Sequence, residues 1–155
     1  MLELLPPEGA GPVRVGMGID EAERALSGIE GFAHLGSRNS AVPTRGRAEF
    51  DSGLTVVALT MNDRVNGVEI FRPLTPVPVT YAGIDVFATR SEVVIERLRE
   101  STRVISEDDG ALIVAPDLLL SLSRLCEPET DDEDEDGAYF DSVLVAPPGY
   151  YDGPS

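Results

Sequence analysis

The chain has 155 residues, enough for one domain with a real core and too few for two of ordinary size. Its 28 acidic residues against 12 basic ones leave a formal net charge of −16, which repels nucleic-acid phosphates and anionic lipid and attracts basic proteins. An apolar share of 42%, a single cysteine and no apolar run of membrane-spanning length predict a globular, cytoplasmic protein with no intrachain disulfide and no membrane association.

Residues 1–11 are rich in Pro and Gly and predict a flexible arm. Val13 and Val15 then form a short strand, Gly16-Met17-Gly18 turns the chain, and Asp20 opens a first helix. Glu23 follows Asp20 by three residues, as in a capping box, and Glu21 adds negative charge at the positive end of the helix dipole. Ala22, Ala25, Leu26 and Ile29 recur at helical spacing, and Gly28 is a C-terminal stop. Phe32 and Leu35 read as core anchors. Beyond them, Ser37 to Ser40 and Pro43 to Gly46 read as an exposed loop, and Arg38, Arg45 and Arg47 are the one local excess of positive charge.

Arg47 to Asp51 leads as a strand into Leu54–Phe71, the most strongly patterned stretch. Leu54, Val56 and Ala58 alternate with Thr55, Val57 and Leu59, so both faces are apolar, as in a strand covered on both sides. Val65, Val68, Ile70 and Phe71 resume the pattern after the turn. Either Asn62-Asp63-Arg64 or Asn66-Gly67 closes this hairpin. Pro73, Pro76 and Pro78 impose an extended crossover. Val79, Tyr81, Ile84 and Val86 form a short apolar segment, and Thr89 with Glu92 predicts a capping box on a second helix whose buried stripe is Val93, Val94, Ile95 and Leu98. Gly16-Met17-Gly18-Ile19 before the first helix weakly echoes Gly83-Ile84-Asp85-Val86 before the second.

Val104-Ile105 and Ala111–Val114 predict a hairpin around Asp109-Gly110. In Leu118–Leu125 the alternation of Leu with Ser121 and Ser123 favours a strand, although the leucine spacing also fits a helix. Residues 127–137 hold eight acidic side chains and read as a solvated acidic loop. Phe140, Val143 and Val145 supply a last strand.

No motif completes a catalytic or ligand site. Asp132 to Gly137 imitates the start of a calcium loop, but Val143 stands where the bidentate glutamate belongs. Gly16 to Glu21 sits where a dinucleotide fingerprint would sit, yet Glu21 replaces its last glycine. His34 is the only histidine, Cys126 reads as an inert thiol beside the acidic run, and no tryptophan is present to build a sugar platform. Neither cofactor nor metal is expected.

Two segments carry resemblances. Gly11-Pro12-Val13-Arg14-Val15-Gly16-Met17, followed by an acidic helix, resembles the "G-P-(V/I)-R-(L/V)-G-M-x-x-x-E" opening of small bacterial α+β proteins, including BamE/SmpA-like domains. Phe140 to Tyr151 is similar to the ending of a group of uncharacterised small α+β proteins of high-GC bacteria associated with polymorphic-toxin immunity proteins. The lipoprotein signal and cysteine of BamE proteins do not accompany the opening, so no outer-membrane role is implied, and these structural motifs transfer no site residue.

The expectation is therefore a single α+β domain over 1–155, a mostly antiparallel sheet of about six to eight strands with two helices packed on it. The expected function is non-enzymatic binding of a basic protein, such as the toxin partner of an immunity protein. Glu127, Glu129, Asp131, Asp132, Glu133, Asp134, Glu135 and Asp136 would steer the partner, with Tyr150 and Tyr151 as an adjoining edge. The alternatives are a scaffold docking through Leu118–Leu125 and, lowest, a carboxylate-dependent enzyme.

Overall fold

The structure, a computed structural model, describes residues 2–36, 45–126 and 137–147. Strands β1 (Leu2–Leu5), β2 (Gly9–Ala10) and β3 (Val13–Arg14) lead into helix α1 (Ile19–Ser27). A four-strand meander follows: β4 (Phe32–Leu35), β5 (Arg47–Phe50), β6 (Thr55–Met61) and β7 (Arg64–Phe71). After the proline crossover come β8 (Val79–Tyr81), β9 (Ile84–Asp85), helix α2 (Ser91–Arg99) and a second meander, β10 (Ile105–Glu107), β11 (Leu112–Ala115), β12 (Leu120–Ser123) and β13 (Ser142–Val145).

The meanders join through β7 and β13 into an eight-stranded sheet ordered β10-β11-β12-β13-β7-β6-β5-β4, antiparallel throughout. The remaining strands form a smaller sheet, β3-β2-β1-β8-β9, in which β1 and β8 run parallel. This is the expected α+β architecture. The order reads as two similar halves meeting back to back, and both helices dock alike: Ile19 N–H donates to the Asp63 carbonyl at 2.9 Å, and Ser91 N–H to the Ala138 carbonyl at 2.8 Å. The N-caps thereby equated are Gly18 and Arg90, so the correspondence of halves does not follow the pairing of Gly16–Ile19 with Gly83–Val86.

One face of the large sheet carries the core. Ala48, Val56, Ile70, Val143, Leu122 and Ile113 lie opposite one another in a single row across six strands, and all are buried. The α1 residues Ile19, Ala22 and Leu26 and the α2 residues Val94, Ile95 and Leu98 close over that face. Each valine, leucine or isoleucine so buried contributes about 1.5–3 kcal/mol.

Local details depart from expectation. Residues 2–5 are no loose arm: Leu2 and Leu4 alternate inward, are buried, and pair with two strands, because a two-residue period suits an edge of the core. The β6 strand is covered on one face only, with Thr55, Val57 and Leu59 half-exposed on the other, as is usual in antiparallel sheets. Asn62-Asp63 makes the hairpin turn, both residues having left-handed backbone (φ 54° and 62°), while Asn66-Gly67 falls at a bulge. Val93 lies outside the buried stripe at 48% exposure.

Candidate interaction surface

The ten residues expected to meet a partner, Glu127, Glu129, Asp131–Asp136, Tyr150 and Tyr151, all lie outside the described residues. What is described is the frame from which the acidic run leaves and to which it returns. The helix-cap chemistry that the sequence suggests around Glu92 is replaced there by a buried cation. No side chain caps α2; Arg124, with its side chain 2% exposed, reaches under the helix start instead.

Arg124 ties three places together. Its Nε donates to the Gly110 carbonyl at 2.7 Å, and its Nη1 donates to Ser91 Oγ at 2.9 Å and Glu92 Oε1 at 2.7 Å. The guanidinium also lies 5.8 Å from the centre of the Phe140 ring. Ser91 Oγ in turn donates to the Gly137 carbonyl at 2.8 Å. Gly137 adopts φ +82° and packs so tightly on Cys126 that an added β-carbon would overlap its carbonyl oxygen. The two ends of the acidic run are thus pinned to each other.

The exposed carboxylates of Glu107, Asp108 and Asp109 stand on the turn that Arg124 holds through Gly110, and Glu92 is half-exposed beside it. One buried positive charge therefore sits beneath four carboxylates and the root of eight more, which leaves this pole strongly negative outside. The tight turn at Asn62-Asp63 is the first half's counterpart of the whole connection from Arg124 to Asp141.

The positive loop expected from Arg38, Arg45 and Arg47 is answered by carboxylates. Arg45 pairs with Asp20 and Glu23, and Glu23 also accepts the Gly46 N–H at 3.1 Å. The bond from Arg45 holds the Glu23 carboxyl below its ordinary range against the opposing effect of burial. Asp20 and Glu23 thus clamp a loop rather than cap α1, whose N-cap is Gly18. Arg38 lies outside the described residues.

His34 sits in an open cleft of about 410 Å³ with Glu49 and Asp51. Its Nε2 is 2.7 Å from Glu49 Oε2, its Nδ1 is 3.4 Å from the Leu35 carbonyl, and Glu49 Oε1 meets Arg47 at 3.3 Å. The imidazole is thus held between the Glu49 carboxylate and the Leu35 carbonyl. Among the described residues no group of three or more His, Cys, Asp or Glu is arranged to hold a metal ion, and Cys126 is exposed and in no disulfide. Leu120 and Leu122 are buried in the core, which removes them from any docking face; of that segment only Leu125 is well exposed, at 66%.

No protein-family model, curated protein or solved structure matches the chain.

Proposed function

We propose that the chain is a non-enzymatic acidic protein-binding domain which occludes a basic partner, in the manner of an immunity protein that neutralises a toxin. The observation carrying this reading is the pole around Arg124, where both ends of the acidic run are pinned beside Glu92 and the Glu107–Asp109 turn. A run rooted at one rigid place keeps its charges together, so their summed field steers a cationic protein to one side of the molecule.

The test is association with a basic protein probe, lysozyme, at rising salt. The wild-type chain is compared with a variant in which the eight carboxylates of 127–136 become amides. Binding by the wild type at low ionic strength, weakened by salt and by the neutralised run, supports the reading. Equal binding by both proteins, or none by either, refutes it.

A further inference from the structure

Leu74 is 90% exposed, more than any other large apolar side chain among the described residues. It is nevertheless held firmly: the Leu74 and Thr75 N–H groups both donate to the Ser52 carbonyl, at 2.8 and 3.0 Å. Its side chain also packs over Gly53, where a β-carbon would fall 2.7 Å from Leu74 Cγ. An apolar group fixed in water by its own backbone is preorganised for contact, because little freedom remains to be lost on binding.

Leu74 lines two depressions, and a third begins at its chain neighbour Thr75 and shares Asp51 with the first. The first is the His34 cleft with Glu49 and Asp51, the second a hollow of about 120 Å³ with Asp85 and Phe87, and the third a groove of about 450 Å³ with Glu30 and Asp51. Glu30 and Asp51 are exposed and have no cationic partner among the described residues. The nearby Arg72 lies over the Tyr139 ring at 5.2 Å. That contact also makes the belt continuous with the acidic run's return, since Tyr139 follows Gly137 by two residues and Arg72 N–H donates to the Asp141 carbonyl at 2.9 Å.

We infer that this belt is the anchoring half of the interface: a basic protein segment lays an apolar side chain on Leu74 and sets a guanidinium or ammonium group against Asp51 and Glu30. The inference rests on the acidic-surface reading and divides its labour. The run at the Arg124 pole governs how fast the partner arrives, and Leu74 governs how long it stays.

The test uses the full chain, ¹⁵N-labelled, with a synthetic peptide of alternating arginine and leucine and a second peptide in which serine replaces each leucine. Amide shifts at Gly53, Thr75 and Val77 should respond to the first peptide and not the second. Stopped-flow kinetics should show Leu74→Ser raising the dissociation rate about tenfold with an association rate changed less than about twofold, whereas amides in place of the 127–136 carboxylates slow association. Leu74 is exposed, so an unchanged melting temperature verifies that its variant is folded. Shifts confined to Ser91 and Gly110, or a dissociation rate indifferent to Leu74→Ser, would overturn the anchor while leaving the acidic pole standing. No binding of either peptide at low salt overturns both.

Discussion

Replacing Arg124 by methionine tests the claim that one buried cation organises the acidic pole. Methionine restores the apolar contact with Phe140 but removes three hydrogen bonds and leaves the Gly110 carbonyl without its side-chain donor. Bonds from a charged donor are worth roughly 1.5–3 kcal/mol each, whereas an ion pair with a half-exposed carboxylate is worth roughly 0–1 kcal/mol. Because Glu92 is 51% exposed, it can return to water when its partner is lost. The net cost of Arg124→Met is then about 3 kcal/mol, and that of Glu92→Gln about 0.5 kcal/mol. In a chain of this size each kcal/mol moves the melting temperature by roughly 2–4 °C, so the first variant melts about 6–12 °C lower. Urea unfolding at neutral pH measures both. A loss below about 1 kcal/mol for Arg124→Met, or an equal loss for Glu92→Gln, would refute the reasoning, because the backbone and hydroxyl ties would then not carry the effect.

Two glutamates should give opposite pH signatures. The Glu23 carboxyl is held below its ordinary range by Arg45, so it stabilises the fold at neutral pH, and that contribution disappears as pH falls through its lowered folded value. Glu23→Gln should therefore destabilise at pH 7 and be nearly silent in strong acid, as followed by urea midpoints. Glu69 lies between Val57 and Leu144 on the exposed face of the sheet, and burial pushes its carboxyl above the ordinary range. Its charge therefore opposes folding above that raised value, so Glu69→Gln should stabilise slightly at pH 7 and lose the gain as pH falls below the ordinary carboxylate range. Gly137→Ala should cost more than about 3 kcal/mol, since a left-handed backbone penalty of order 1–3 kcal/mol is joined by overlap with Cys126. Gly83→Ala, also left-handed (φ +86°) but with open space around it, should show the backbone penalty alone, about 1 kcal/mol. Equal losses in thermal melts would argue against the pinch at the base of the acidic run.

The central hairpin, the second helix, the turn at Asp109-Gly110 and the strand at Leu120–Ser123 were legible because each depends on local chemistry: a two-residue or helical period, or a left-handed turn residue. The acidic run and the sign of the surface were legible for the same reason, as counts along the chain. Arg124 gave no such signal. An arginine after Leu-Ser-Leu-Ser looks like the solvated end of a strand, and only the arrival of α2 and the Gly110 turn on either side makes it a buried hub. Leu74 likewise looked like one more residue in a proline-rich crossover.

Composition and periodicity alone determined an acidic α+β domain with a hairpin at its centre and a concentrated negative run near its end. Tertiary structure alone decided that two similar halves share one sheet through β7 and β13, that β1 belongs beside β8, and which partner each polar side chain takes. Asp20, Glu23 and Glu92 have the types and spacing of caps, yet the first two bind Arg45 and the third binds Arg124. The physical reason is range: backbone periods and turns are set by neighbours a few residues apart. A charge or hydrogen-bonding group instead answers to whatever the folded chain brings within about 3 Å, and those partners stand 22 to 32 positions away.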